Sequence, residues 1–336
     1  MPMPKIVIIG QGLAGSFLSM RLREKGVDHR VVDDPRPSQS SRIAAGIANP
    51  IVLKRLKWVR YADAYLEHLL PFYKRWEEPG KGDFFRPFGL MHRFSEVAEV
   101  NRWLGAAAEE PYARYLQDPV FEVPEAISAP HGLGPVQGLY WLDTAAFLAH
   151  YRHRLESEGI LEERKLTELR PAGEDEILVY CQGHLGASLH PALEKFYQPS
   201  RGEVMTITAP DLPEEYAWHG RIFALPLGEH RFKVGATYQH DYFSDHPSAA
   251  GQSFLRKHLE TLYRGPYRVE HYEAGVRPNT RDRQALLGSI GPGQYLFSGF
   301  GSRGVLMGPY LAKLMAEHLV ENRPIPPQWS VERAFT

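Results

Sequence analysis

Apolar residues fall first into a run of strand length, Ile6-Val7-Ile8-Ile9, followed by Gly10-Gln11-Gly12-Leu13-Ala14-Gly15 and then by Phe17, Leu18 and Leu22. A short continuous apolar run ending in glycine predicts a buried strand, and the spacing after it predicts a helix that stops at Gly26. A second β-like run, His29-Arg30-Val31-Val32, ends at Asp33, so the chain opens as a βαβ unit. Beyond a loop at 35–42, the pattern predicts a helix over 61–78, broken or kinked near Pro71, a strand and turn at 84–92, and a helix over 97–108. A strand is expected at 138–142. Asp143 or Thr144 caps a helix whose Phe147, Leu148, Tyr151 and Leu155 share one face, with Gly159 ending it. Residues 177–183 read as a buried strand closed by glycine. The segments 201–208, 221–227 and 231–238 alternate with period two, the signature of an antiparallel sheet, and are followed by a helix over 245–263 and a strand over 267–276. Tyr295-Leu296-Phe297-Ser298 then leads into a last helix over 305–321 before Pro324-Ile325-Pro326-Pro327. The chain shows no internal repeat or low-complexity segment.

The glycines of the first turn have distinct uses. Gly10 permits the tight turn, Gly12 lets backbone approach a pyrophosphate, and Gly15 lets helix and strand pack closely. Asp33 stands about twenty residues on, where an acid holds a ribose hydroxyl. Ala44-Ala45-Gly46-Ile47-Ala48-Asn49-Pro50 gathers small residues beside the same crevice. A second glycine turn, Gly299-Phe300-Gly301-Ser302-Arg303-Gly304, precedes the last helix, but too little chain follows it to build another βαβ unit. Two distant glycine turns, each at a helix N-terminus, suit the two ends of one long cofactor, FAD better than NAD.

The 336 residues are enough for two domains, and 43% hydrophobic with 24% charged is an ordinary globular balance. A formal net charge of -1 supplies no global field toward nucleic acid or an anionic membrane. Cys181 is the only cysteine, which excludes an internal disulfide and fits a reducing compartment. The first strand starts at Lys5, leaving no room for a charged leader, and no apolar run reaches membrane-spanning length; a cytoplasmic, soluble protein is expected. Lys54-Arg55-Leu56-Lys57-Trp58-Val59-Arg60 interleaves cations with an aromatic and reads either as a solvated face or as a surface for an anionic partner such as RNA. His150 and His153 lie one turn apart without a carboxylate or cysteine at ligand spacing, so no metal is expected.

Taken together, the motifs Gly10 to Gly15, Asp33, Ser41 to Pro50, Cys181-Gln182-Gly183, Arg201-Gly202-Glu203, Gly275-Val276-Arg277-Pro278, Thr280-Arg281-Asp282-Arg283 and Gly299 to Gly304 resemble the D-amino acid oxidase and glycine oxidase superfamily of FAD-dependent amine oxidoreductases. Gly235-Ala236-Thr237-Tyr238, 275–282 and 300–304 look most like the oxidoreductase half of bifunctional tRNA wobble-uridine modification enzymes, which removes a carboxymethyl group from a modified uridine. The methyltransferase half is absent from this sequence. The resemblance implies an α/β, Rossmann-like FAD domain assembled from 1–60, 141–200 and 276–336, interleaved with an antiparallel-sheet substrate domain from 61–140 and 201–275. It implies noncovalent FAD held by Gly10, Gly12, Leu13, Ala14, Gly15, Asp33, Asp34, Ser41, Arg42, Ala45, Gly46, Asn49, Cys181, Gly183, Gly299, Gly301, Ser302, Gly304 and Val305, together with Arg277 and Arg303. It carries a carboxylate-binding arginine onto Arg277 and a second active-site arginine onto Arg303. A guanidinium offers a bidentate, permanently charged fork for such a carboxylate; structural ion pairs with Asp282 or Glu203 are the competing use. Tyr238 and His240 follow a predicted core strand and line either the pocket or a surface turn. Phe223 stands where related oxidases often carry a substrate-binding tyrosine, which puts the substrate of glycine oxidase in doubt. Three functions follow: oxidation of a small amino acid or N-substituted glycine, removal of carboxymethyl from a tRNA uridine, or a non-catalytic flavoprotein subunit.

Overall fold

The computed structural model describes residues 4–34, 40–77, 84–164, 171–240 and 244–336. Lys5–Ile9 forms the centre of a six-stranded sheet, pairing in parallel with His29–Asp33 on one side and Glu176–Tyr180 on the other. Leu161–Glu163 extends one edge, Gln294–Ser298 joins the other in parallel, and Leu286–Gly291 closes it antiparallel. Both faces of this sheet are covered, which is why its strands read as unbroken apolar runs. Ile6, Ile8, Val31 and Val179 pack with the helices Leu13–Glu24, Ala62–Trp76, Thr144–Ser157 and Gly304–Glu321. Val7, Ile9, Val32, Leu178 and Tyr180 face the other way, against Leu193, Tyr197 and Val331.

A second, eight-stranded sheet runs Arg268–Arg277, Ser200–Thr208, Arg231–Gly235, Phe223–Gly228, Tyr216–His219, Phe85–Arg93, Leu133–Leu142, Ile47–Ala48. The expected antiparallel sheet is thus mixed at one point, because Tyr216–His219 runs parallel to Phe85–Arg93. One face packs Met205, Ile207, Trp218, Phe232 and Val234 on the helix Ala249–Glu260. The residues of opposite parity, Gly202, Val204, Phe223 and Gly235, face a cavity between the two sheets.

Most predicted elements recur with shifted ends. The second helix runs Ala62–Trp76 with Pro71 inside it, while Glu78, its expected end, and residues 35–39 of the expected loop lie outside the described residues. Asp143 caps the helix Thr144–Ser157 by accepting the Ala146 N–H at 3.0 Å. The helix expected over 245–263 is shorter, Ala249–Glu260, because Ser248 caps it by accepting the Gly251 N–H at 3.1 Å. The strands Leu161–Glu163, Tyr216–His219 and Leu286–Gly291 were not predicted. The first has three residues, two of them acidic, and forms only at a sheet edge where an existing strand templates it.

Candidate active site

The cavity holds about 600 Å³ and runs from the first glycine turn to the face of the eight-stranded sheet. Its near end is built by the βαβ opening. A Cβ on Gly15 would sit 1.8 Å from the Gly10 carbonyl oxygen, so only glycine permits this contact between strand end and helix. Gly15 does not line the cavity; it brings in Gly10, Gly12, Leu13 and Ala14, which do. No side chain caps the helix Leu13–Glu24, and its Leu13 N–H is donated to Ser41 Oγ at 3.2 Å. The segment after Ser41 is folded against this turn by two contacts: Trp141 Nε1 donates to the Ala45 carbonyl at 2.9 Å, and Thr144 Oγ1 to the Ala44 carbonyl at 3.2 Å. Arg42, Ala45, Gly46 and Asn49 thereby line the cavity.

Asp33 and Asp34 both line this end. Asp33 accepts the Gln11 N–H at 2.8 Å through Oδ1 and Arg152 Nη1 at 2.8 Å through Oδ2. The strand-end acid is therefore locked to the glycine turn and to the helix Thr144–Ser157. Arg152, which sequence reasoning passed over, has no motif; its role comes from lying one helix away. Cys181 is buried, and burial pushes its thiol far above the ordinary range, so it is a wall rather than a nucleophile. Gly183 sits beside it, its carbonyl accepting Ser298 Oγ at 2.9 Å.

The far end is built by the second glycine turn. Gly299, Gly301, Ser302, Arg303, Gly304 and Val305 line it, and the helix Gly304–Glu321 opens there without a side-chain cap. The helices of Asp143 and Ser248 have N-caps, whereas the two that open on the cavity have no N-cap side chain; apart from the Leu13 N–H held by Ser41, their first turns point at the cavity end where an anion would sit.

Arg277 ends the strand Arg268–Arg277 and folds back over Gly202. A Cβ there would lie 2.1 Å from Arg277 Nη2, so the glycine makes room for the guanidinium. Its protein contacts are weak: Nη1 is 3.4 Å from the Thr237 carbonyl, and the guanidinium carbon stands 4.5 Å from the Tyr238 ring centroid. Neither Arg277 nor Arg303 has an ion pair among the described residues. Glu203 is instead held by Arg201 and Ser248, and Asp282 by Arg333, so the competing partners are taken. Burial pushes both guanidinium groups below their ordinary value, the direction expected for cations awaiting an anion.

Tyr238 lines the cavity and is 50% exposed. Burial raises its phenol, but Arg277, Ser200, Arg283 and Ser302 outweigh this and leave it below its ordinary value. His240, expected with it, is exposed on the loop beyond, its Nδ1 3.4 Å from the Pro199 carbonyl, and does not line the cavity. Alternation explains the difference: the strand has ended at Gly235 and the chain has turned outward. Phe223 lies across Gly235, its ring carbon 2.8 Å from where a Cβ would be. Beside it sits His219, which sequence reasoning missed because its partners come from other strands. His150 packs 5.2 Å from Phe84, and no metal-ligating cluster occurs among the described residues.

The family profile described as FAD dependent oxidoreductase matches residues 5–318. A tRNA 5-methylaminomethyl-2-thiouridine biosynthesis bifunctional protein from Idiomarina loihiensis is 24% identical over 93% of this chain and 55% of its own length. The chain spans about half the length of the bifunctional relatives it matches. A D-amino-acid oxidase from Rubrobacter xylanophilus is 26% identical over 89% of this chain and 90% of its own. The solved iminodiacetate oxidase of Chelativorans sp. BNC1 superposes with a TM-score of 0.77 at 19% identity, covering 97% of this chain and 98% of its own.

Proposed function

Because this chain belongs to the FAD dependent oxidoreductase family, we propose that it oxidises the C–N bond of a small amino acid or N-substituted glycine. The observation that carries this reading is the pair of cavity arginines, Arg277 and Arg303, which have no carboxylate partner among the described residues. The cofactor fits the residues present: two uncapped helix N-termini, one at each end of a single cavity, meet the anionic pyrophosphate and the electron-poor ring of FAD. When bound, FAD accepts the hydride that leaves the carbon next to the amine. Residues 10–15, Asp33 and the segment 41–49 hold its adenosine diphosphate end, and 299–305 its ring end.

The protein's own part is orientation. Arg277 and Arg303 clamp the substrate carboxylate, so the adjacent C–H has one direction to face, and positioning of this kind removes much of a barrier. Tyr238, beside Arg277 and half exposed, covers the carboxylate side. Phe223 supplies an apolar wall and no hydroxyl. We also assign the cofactor to a domain made of 1–60, 141–200 and 276–336, which contains every strand of the six-stranded sheet, and the substrate to 61–140 and 201–275.

A second substrate class presents the same chemistry on a large molecule: a carboxymethylaminomethyl uridine in tRNA. Lys54 and Arg221, both exposed, line the cavity and give a polyanion somewhere to rest. Anaerobic titration of the flavin-loaded protein with glycine, sarcosine, proline, D-amino acids and undermodified tRNA separates the readings. Bleaching of the flavin by free amines supports the first, and bleaching by tRNA alone moves the assignment to the second. A flavin that stays oxidised throughout refutes both.

A further inference from the structure

Beside Phe223 the cavity carries a histidine that is hydrogen-bonded to a second one behind it. His219 lies next to Phe223 in the sheet, and its ring lines the cavity. Its Nδ1 is 2.8 Å from Nδ1 of His92, its register partner on the neighbouring parallel strand. Nε2 of His92 is 3.0 Å from Glu99 Oε1, on the helix Val97–Ala107. Glu99 Oε2 accepts the Ser95 N–H at 2.7 Å and Ser95 Oγ at 2.8 Å. Among the described residues, the titratable groups hydrogen-bonded to the His92 ring are Glu99 and His219, and the rings of Phe94 and Trp103 pack against it.

Glu99 is ionised, so it accepts, and His92 donates to it from Nε2; the relay takes the tautomer of His92 that carries only that proton. Nδ1 of His92 is then an acceptor, which takes the Nδ1–H of His219. Nε2 of His219, a residue that lines the cavity, is then left with its lone pair.

An amine cannot release hydride from its neighbouring carbon while its nitrogen is an ammonium, because the nitrogen lone pair must form the new C=N bond. Amino acids and N-substituted glycines are ammonium ions at neutral pH. We propose that His219, backed by His92 and Glu99, is the base that removes this proton, an inference resting on the amine-oxidising reading above. The N–H bond of the ammonium breaks as Nε2–H of His219 forms, and Nδ1–H of His219 breaks as Nδ1–H of His92 forms. The charge comes to rest on His92, between His219 and the Glu99 carboxylate. His219 is the catalytic residue; His92 and Glu99 position it and take the charge that its own burial disfavours.

Glu99→Gln tests the relay without removing bulk. The Ser95 N–H holds the amide oxygen, so the amide NH₂ turns to His92 and reverses both imidazoles, leaving an N–H of His219 facing the cavity. Nitrogen-15 spectra of the native protein are expected to show His219 protonated at Nδ1 and His92 at Nε2, with both reversed in Glu99→Gln. In the pH profile of sarcosine-driven flavin reduction, kcat/KM of Glu99→Gln is expected to fall at least about a hundredfold at neutral pH, a general base's contribution. It should converge on the native value once sarcosine has lost its own proton. Acetate, which has no amine, should bind both proteins equally. A doubly protonated His92 in the resting protein, or a loss equal at every pH, overturns the proposal while the amine reading stands. A native flavin left oxidised by every amine removes both.

Discussion

At the scale of residues, the site turns on what each charged group lacks. Arg277 and Arg303 lack a carboxylate among the described residues, and that makes them available. Replacing Arg277 by Met should cost roughly 2–5 kcal/mol in kcat/KM for a carboxylate substrate, as for any desolvated charge pair that loses one member. Unchanged efficiency would refute the clamp. Gly202→Ala reaches the same guanidinium indirectly, since its Cβ would lie 2.1 Å from Nη2. It should raise KM for carboxylate substrates while the flavin stays bound, and a KM equal to that of the native protein would count against the placement of Arg277. The polar chain of His219, His92 and Glu99 has its own signature. The hydrogen bond from His92, followed by those from Ser95, holds the Glu99 carboxyl at about 2, against an ordinary 4.5. A depressed carboxyl stabilises the fold above its unfolded value and loses that stabilisation as pH falls through the folded one. The stability difference between native protein and Glu99→Gln in urea titrations should therefore shrink between about pH 4.5 and 2. A constant difference would deny the bond. Both arginines were named through the family resemblance, whose motifs contain them, with guanidinium chemistry in agreement. His219 was not, because histidines joined across parallel strands leave no spacing in sequence.

Elements were legible where one periodicity governed them. The opening strand, glycine turn and helix could be read from ten residues because burial on both faces forces an apolar run and close packing forces Gly15. Its replacement by Ala would place a Cβ 1.8 Å from the Gly10 oxygen and 3.2 Å from Ile8 Cγ2. The purified Gly15→Ala protein should be colourless and remain so after dialysis against FAD; a yellow variant with native affinity would show that the turn can relax. The strand Ser200–Thr208 was expected from its alternation, but what covers its charged residues was not. Arg201 and Glu203 alternate with small residues as if facing water, yet both are fully buried. Arg201 Nε donates to the Ser244 carbonyl at 2.6 Å, Nη1 to Glu203 Oε1 at 2.6 Å and to Gln239 Oε1 at 2.7 Å. A charged pair inside a sheet is invisible to periodicity, because alternation reports polarity and not what covers it. Its purpose here is to tie the chain after Tyr238 to the cavity strand. Glu203→Ala removes the buried carboxylate that accepts Arg201 Nη1 and the Ser248 N–H and should destabilise the protein by about 3–5 kcal/mol, read from the midpoint of thermal unfolding with flavin bound.

For the whole molecule, the question left by the two sheets is the size of what enters between them. On the proposed reading, the reacting end, between Phe223 and the arginines, takes a glycine unit on any carrier. Carrier size is decided at the rim, where Lys54 and Arg221 are exposed and a formal net charge of -1 provides no wider attraction. A protein that binds tRNA through so few cations must show it in the salt dependence. Each phosphate contact contributes about 0.7–0.9 to the slope of log affinity against log salt. Lys54→Glu with Arg221→Glu should lower that slope by roughly 1.5 if the uridine is the substrate, and leave kcat/KM for sarcosine unchanged. If the free amino acid is the substrate, the same double variant changes neither quantity, and tRNA fails to compete with sarcosine at physiological ionic strength. The rim charges are the only part of this choice that does not run through the shared chemistry of the clamp. Altering them therefore tests carrier size alone, with the clamp intact as the internal control.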